Sequence, residues 1–357
     1  MTTKVQLISP VNGRVYVERQ CADAAQIDQA VADASAAQIL WRRRTLDERA
    51  ALCHAAVQAM LSMQEQIVPE LAWQMGRPVR YGAGELRGFA ERARYMIGIA
   101  AQALAPIEPD PIAGFRRLIK REPLGTVLVV APWNYPYLTA VNSVIPALMA
   151  GNAVILKHAT QTLLVGERFA QAMQQANLPT GLFHNLLLDH AQTAALIASG
   201  RVQQVNFTGS VEAGRAMENA ASGRFIGVGL ELGGKDPAYV RADANLEHAV
   251  ENLVDGSYFN SGQSCCAIER IYVDKKLFPA FVERFVALTG EYVLGNPLNE
   301  ATTLGPLVSA GAADAVRGQI AAALAQGATA YGQWYWSELS CGTRPSSQYP
   351  SSGLSIR

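Results

Sequence analysis

Residues 125–157 read GTVLVVAPWNYPYLTAVNSVIPALMAGNAVILK, and this stretch decides the fold. Its two ends, GTVLVVA from 125 and NAVILK from 152, are continuous apolar runs of strand length. Between them Tyr137 to Met149 carry apolar residues at helical spacing, closed by Gly151. Strands without polar alternation belong to a parallel sheet covered by helices on both faces. The pattern repeats downstream in LFHNLLL from 182, VQQVNF from 202 and FIGVGLEL from 225. Helical segments fill the gaps, for instance Leu163 to Ala176, which closes before Leu178-Pro179. The expectation is an α/β chain with a Rossmann-like parallel sheet. Ligands of such sheets bind at the carboxyl ends of the strands, where Pro132, Trp133, Asn134, Lys157 and the TGS of 208–210 all stand.

Further out the pattern is less regular. Residues 7–18 read as a hairpin about the turn from Pro10 to Gly13. Helices are expected over Ala24–Leu40, Thr45–Met63 and Gly84–Leu104, with Thr45 and Glu48 forming a capping box. A proline-rich segment, Pro106 to Pro111, precedes an alternating strand from Phe115 to Glu122. A second α/β region begins near Gly233, with a helix over Asn245–Asn260, a strand over Ile268–Asp274, and helices over Leu277–Tyr292 and Ala310–Ala325. No GxGxxG fingerprint occurs, and GSVEAG at 209–214 lacks the Lys-Ser or Lys-Thr of a phosphate-binding loop. Ser210 is nevertheless a good N-cap, and the helix start behind it offers free N–H groups to an anion.

The chain has 357 residues, half of them hydrophobic, which excludes a disordered protein and predicts more than one core. Thirty basic residues balance thirty acidic ones, so no overall field favours nucleic acid or an anionic membrane. The basic clusters at Arg42–Arg44 and Phe115–Arg121 lack interleaved stacking aromatics. No signal-like run opens the chain, and no segment approaches the roughly 20 apolar residues needed to cross a bilayer. Cysteines at 21, 53, 265, 266 and 341 form no CxxC pair, and histidines at 54, 158, 184, 190 and 248 show no ligand spacing. Neither a disulfide framework nor a metal site is expected, and a reducing cytoplasm fits best.

The chemistry concentrates in NSGQSCCA at 260–267 and LELGGKDP at 230–237. A thiol that can ionise and a carboxylate that can move a proton are the minimum for covalent catalysis followed by hydrolysis. An ordinary cysteine is only a few per cent thiolate at neutral pH, so a nucleophile needs nearby N–H groups or cations.

These segments, with PWN at 132–134, Lys157 and FTGSVEAG at 207–214, occur in the order of the aldehyde dehydrogenase superfamily, which the chain resembles from about Ile8 to about Ala330. The resemblance implies an aldehyde dehydrogenase-like fold. Residues 1–105 and 123–232 would form the NAD(P)-binding domain, 106–122 an oligomerisation strand, and 233–331 an incomplete catalytic domain. It makes Cys265 the nucleophile on a small aldehyde, with Cys266 a buried neighbour. Asn134 and the Cys265 N–H would be oxyanion donors, and Glu231, tuned by partial burial, the base that activates water. Hydride transfer to NAD or NADP would turn the thiohemiacetal into a thioester, and hydrolysis would release an acid. Pro132, Trp133, Lys157, Thr160, Gly209, Ser210, Gly214, Leu232 and Gly233 would line the nucleotide. Many NAD-preferring relatives carry a carboxylate where this chain has Thr160, so acceptance of NADP is expected. The family assembles as homo-oligomers, and its members that pass the acyl group to coenzyme A do not depend on the glutamate.

After Gly332 the pattern is lost in a serine-rich, aperiodic stretch, 332–357, read as disordered. The family's Glu-x-Phe-Gly-Pro segment and its terminal strand are not found there. A truncated or frame-shifted dehydrogenase is one expectation; its alternatives are a catalytically impaired remnant that binds nucleotide or a full-length partner, and an aldehyde dehydrogenase that acylates coenzyme A.

Overall fold

The computed structural model describes residues 3–331 and the short strand Ser355–Ile356. The expected disordered stretch therefore lies almost entirely outside the described residues. The chain divides into two compact units, the first holding 1–5, 18–65 and 84–232 and the second holding 6–17, 66–83 and 233–357.

A two-stranded sheet joins β1 (Lys4–Ile8) and β2 (Val15–Gln20) near the start of the chain. The first unit is built on a five-stranded sheet. Its strands are β3 (Thr126–Ala131), β4 (Ala153–His158), β5 (Phe183–Asn185), β6 (Gln204–Gly209) and β7 (Gly227–Leu232), ordered β5-β4-β3-β6-β7. Every pairing is parallel. All six residues of β3 and all six of β4 are buried, as their unbroken apolar runs require. Helices α5 (Pro136–Met149), α6 (Leu163–Gln175), α7 (His190–Ala198) and α8 (Val211–Ala221) connect the strands. After β5 the chain returns to place β6 beside β3, so the strand order reverses between these two neighbours, where doubly wound sheets bind their ligands.

Three buried rings cement this unit. Tyr137 of α5 stacks on Phe169 of α6 at 5.9 Å, and Phe89 meets Phe169 edge-on at 5.7 Å. Trp41, the last residue of α1 (Ala24–Trp41), donates its ring N–H to the Leu148 carbonyl at 2.9 Å. Helix α2 (Leu46–Ser62) starts with the expected capping box, Thr45 and Glu48 each accepting the other's backbone N–H.

The second unit has less regular structure. It contains a two-stranded parallel sheet, β8 (Asp236–Val240) with β9 (Ile268–Val273), packed against α9 (Leu246–Tyr258) and α10 (Phe278–Thr289). Its core gathers Val240, Val250, Val254, Phe281 and Phe285. Helix α11 (Ala310–Ala325) follows, with Ser309 as N-cap.

Several elements differ from expectation. A helix α3 (Gln64–Met75) forms across Pro69, and α4 (Val79–Ala103) begins before Gly84. Pro69 is six residues into its helix and breaks the local signal without breaking the element, because Ile67, Leu71, Ala72 and Met75 bury one face. The expected strand Phe115–Glu122 is absent. The segment makes only the isolated bridges Ile107 with Ile119 and Ile112 with Phe115, consistent with the marginal stability of a lone ribbon.

Candidate active site

Within the first unit, the expected nucleotide residues gather at one edge of the sheet. Pro132, Trp133 and Asn134 follow β3, Lys157 is the fifth residue of β4, and Thr160 opens a short 3₁₀ turn, Thr160–Thr162, just after it. Gly209 ends β6, Ser210 caps α8, and Glu231 and Leu232 end β7. These strand ends are in register: Ala131 pairs with His158 and Thr208 with Glu231.

The turn after β3 is held from both sides. Tyr135, the residue before α5, provides no side-chain cap. Instead Glu85 of α4, a buried carboxylate, accepts the N–H groups of Tyr137 and Leu138, both at 3.0 Å. It thereby satisfies two of the orphan donors at the helix start and places negative charge at the positive end of the dipole. His158 closes the other side. Its Nε2 lies 3.3 Å from the Pro136 carbonyl and its Nδ1 3.1 Å from the Thr162 hydroxyl. A carbonyl only accepts, so Nε2 carries the proton and Nδ1 accepts from Thr162. Burial pushes the His158 pKa down to about 4, which keeps the ring neutral at physiological pH. Asn134 accepts the Tyr135 N–H on its own Oδ1 at 3.1 Å, which leaves the amide nitrogen as the donor end of this side chain.

The β6–α8 turn has the form of an anion site. Ser210 Oγ accepts the Ala213 N–H at 3.2 Å and fixes the start of α8. A Cβ on Gly209 would stand 2.5 Å from the Phe207 ring, and one on Gly214 would stand 2.7 Å from Leu232 Cδ2. Glycine at these places lets the backbone of the turn and of α8 close on the sheet. Lys157 is 7 % exposed, and burial lowers its pKa against the opposing pull of Cys21 and Asp189. The same end of β4 and β5 opens on a pocket of about 270 Å³ lined by Arg19, Gln20, His158, Glu167 and Asn185. Arg19 is paired there with Glu167 at 2.8 Å. An anion-accepting helix start, a cation and a glycine-lined edge at a switch point fit a dinucleotide.

Gly233 and Cys265 belong to the second unit. Cys265 follows a 3₁₀ turn, Phe259–Gly262, and lies before the buried Ala267 at the head of β9. Cys265 is exposed, yet the packing around its sulfur, followed by the neighbouring Cys266 thiol, raises its pKa above the ordinary thiol value. No cation acts on it among the interactions that shift it, and its own backbone N–H is what stabilises the thiolate. Two expectations are corrected here. Cys266 is exposed rather than buried, with its sulfur 3.3 Å from the Ser264 hydroxyl. Glu231 is likewise exposed rather than partly buried, because β7 is an edge strand with alternating exposure. Among the described residues no group of three or more His, Cys, Asp or Glu is placed to hold a metal ion.

The sequence reading missed Glu85 and Arg77, and it quoted Asn260 within NSGQSCCA without giving it a role. Arg77 donates to the Asn260 side chain from a distant segment of the second unit. Its signal in the sequence is slight, a charged residue in a Gly-Arg-Pro turn.

Comparison with known proteins gives a consistent family. The profile described as the aldehyde dehydrogenase family matches residues 1–335. The chain is 32 % identical over 321 residues to the succinate semialdehyde dehydrogenase [NAD(P)+] Sad of Escherichia coli K12, covering 90 % of this chain and 69 % of that protein. It is 32 % identical over 344 residues to a succinate-semialdehyde dehydrogenase [NADP(+)] of Mycolicibacterium paratuberculosis, covering 96 % and 71 %. Among solved structures, PnpE in complex with nicotinamide adenine dinucleotide superposes with a TM-score of 0.88 at 31 % identity, covering 92 % of this chain and 68 % of that one.

Proposed function

Because this chain belongs to the aldehyde dehydrogenase family, we propose that it oxidises a small aldehyde to a carboxylic acid with NAD or NADP, through a covalent intermediate on Cys265. The observation that carries the reading is the Ser210-capped helix at the switch point of the first unit's sheet; an exposed thiol in a structured turn of the second unit supports it separately. Cys265 attacks the aldehyde carbon as thiolate. The Cys265 N–H stabilises the oxyanion that forms, and the family resemblance assigns the Asn134 amide the same role. When bound, the nicotinamide supplies the acceptor for the hydride that leaves this carbon. Glu231 takes a proton from the water that hydrolyses the resulting thioester. Lys157 and Thr160 bind the adenosine ribose, Ser210 and the start of α8 bind phosphate, and Pro132, Trp133, Gly209, Gly214 and Leu232 line the same site of the first unit.

Thr160 offers no carboxylate to repel a 2′-phosphate, so both cofactors are used. Replacing Thr160 with Glu should cut NADP-dependent turnover about tenfold or more while sparing NAD, since a half-buried like charge beside the 2′-phosphate costs more than about 1 kcal/mol. Equal loss with both cofactors would contradict the assignment. A reducing compartment, the cytoplasm, is the proposed location, a reading that the four described free cysteines support. Among the described residues no helix is long and apolar enough to cross a membrane. Exposed Ile107, Ile112, Phe115 and Ile119 suit the 106–122 segment to a contact between copies of the chain.

A second reading has an observation of its own. The raised thiol pKa and the exposed Glu231 describe a chain that binds nucleotide but turns over slowly. Mixing the protein with an aldehyde and NAD, with Glu231→Gln to slow hydrolysis, separates the two. An acyl group on the Cys265 peptide supports oxidation, whereas nucleotide binding with no acyl group supports the impaired reading.

A further inference from the structure

Three consecutive residues ahead of Cys265 occupy the left-handed region: Asn260 at φ 56°, Ser261 at φ 59° and Gly262 at φ 72°. For non-glycine residues this backbone is strained, and it persists only where the surroundings over-determine it. Two remote segments of the second unit supply those restraints. From the first comes Arg77, 3 % exposed, whose Nε–H donates to Asn260 Oδ1 at 3.3 Å. Asn260 passes the restraint along the turn: its Nδ2 donates to the Gln263 carbonyl at 3.2 Å, and Gln263 Nε2 donates to the Asn260 carbonyl at 3.1 Å. From the second segment, the Gly305 carbonyl accepts the Ser261 hydroxyl at 2.8 Å, and the Val308 N–H donates to Gln263 Oε1 at 2.8 Å.

The two segments also press on each other. A Cβ on Gly305 would stand 1.9 Å from the Gly76 carbonyl oxygen, and one on Gly76 would stand 2.7 Å from the Pro306 oxygen. Glycine at both places lets the backbones meet, which brings Arg77 under the turn. A buried guanidinium is costly unless its N–H groups are bonded, so Arg77 and Asn260 hold each other in one geometry. The planar fork gives that bond a direction which an ammonium would not.

We propose that Arg77 is a positioning residue that acts through Asn260 to fix the left-handed turn presenting the Cys265 thiol. Its consequence for turnover rests on Cys265 being the nucleophile; its consequence for thiol reactivity does not.

The test follows alkylation of Cys265 by iodoacetamide as a function of pH, read peptide by peptide, in the unaltered chain and in Arg77→Lys and Arg77→Leu. The buried thiols of Cys21 and Cys53 report on the fold of the first unit, and near-ultraviolet dichroism of the Tyr258, Tyr292 and Phe285 cluster reports on the second. With both folds intact, the alkylation midpoint of Cys265 should move down towards that of an ordinary thiol, because the packing that raises it is released. The kcat should fall tenfold or more with KM for nucleotide unchanged. An unchanged midpoint in a folded Arg77→Leu protein would overturn the proposal. Should that protein fail to fold, Asn260→Gly removes the acceptor while suiting the left-handed backbone. The same downward shift there supports the proposal, and an unchanged midpoint overturns it. A shifted midpoint in the variants, with no turnover by the unaltered chain, would sink the nucleophile reading and leave the positioning role standing.

Discussion

The two parallel pairs β3–β4 and β8–β9 are held in different ways. In β3–β4 all twelve residues are buried, and the turn beyond β3 inherits its shape from that core, from the Glu85 cap and from the neutral His158. In β8–β9 the registered pair Tyr239 and Tyr272 is exposed, and the turn that leads into β9 takes its shape from individual side-chain hydrogen bonds. Apolar burial thus sets the turn beyond β3, and a polar brace sets the cysteine turn. A core tolerates the loss of one surface contact, whereas a brace of few members does not.

The contrast can be broken most decisively in the core. Leu128→Ala on β3, at a fully buried position, should cost about 2–5 kcal/mol of stability, seen as a large drop in the denaturation midpoint. A loss below about 1 kcal/mol would mean that β3 does not carry the first unit.

The next effect is one of pH. His158 is neutral in the folded state with its pKa held down to about 4, against about 6.5 unfolded. Above pH about 6.5 neither state is protonated at this ring; as pH falls, the unfolded chain gains the proton first and the folded state loses up to about 3 kcal/mol by pH about 4. His158→Gln should flatten this part of the stability profile, and an equally steep profile would show that the loss arises elsewhere.

Glu85→Ala should cost about 1–3 kcal/mol by leaving the Tyr137 and Leu138 N–H groups unsatisfied. Chemical denaturation measures this directly, and no change would remove the cap from the account. The smallest effect belongs to the other sheet. Tyr272→Ser should change stability by no more than about 0.5 kcal/mol, as for other exposed positions. A loss comparable to that of Leu128→Ala would erase the distinction between the two pairs.

The same distinction governs how much was legible in the sequence. β3, β4 and the helix between them could be read because burial on both faces leaves an unbroken apolar run. β8 was missed because DPAYV is short, alternates in burial and contains Pro237. Helix α3 was obscured by Pro69, which the buried face around it outweighs. The proposed site is drawn from contiguous motifs, PWN, TGS, ELGG and GQSC. It was opaque where long-range contacts do the positioning: Glu85 acts on a residue 52 positions away and Arg77 on one 183 positions away. The exposure of Cys266 and Glu231 depends on which faces of the turn and the edge strand are covered, which motif spacing does not encode.

The most direct test of cysteine-based aldehyde oxidation is formation of reduced nucleotide by the purified chain across a panel of aldehydes, with Cys265→Ala and Cys266→Ala in parallel. Turnover that survives Cys266→Ala and disappears in Cys265→Ala is the predicted result. Turnover that persists in Cys265→Ala, or its absence from a folded, nucleotide-binding chain, would contradict it.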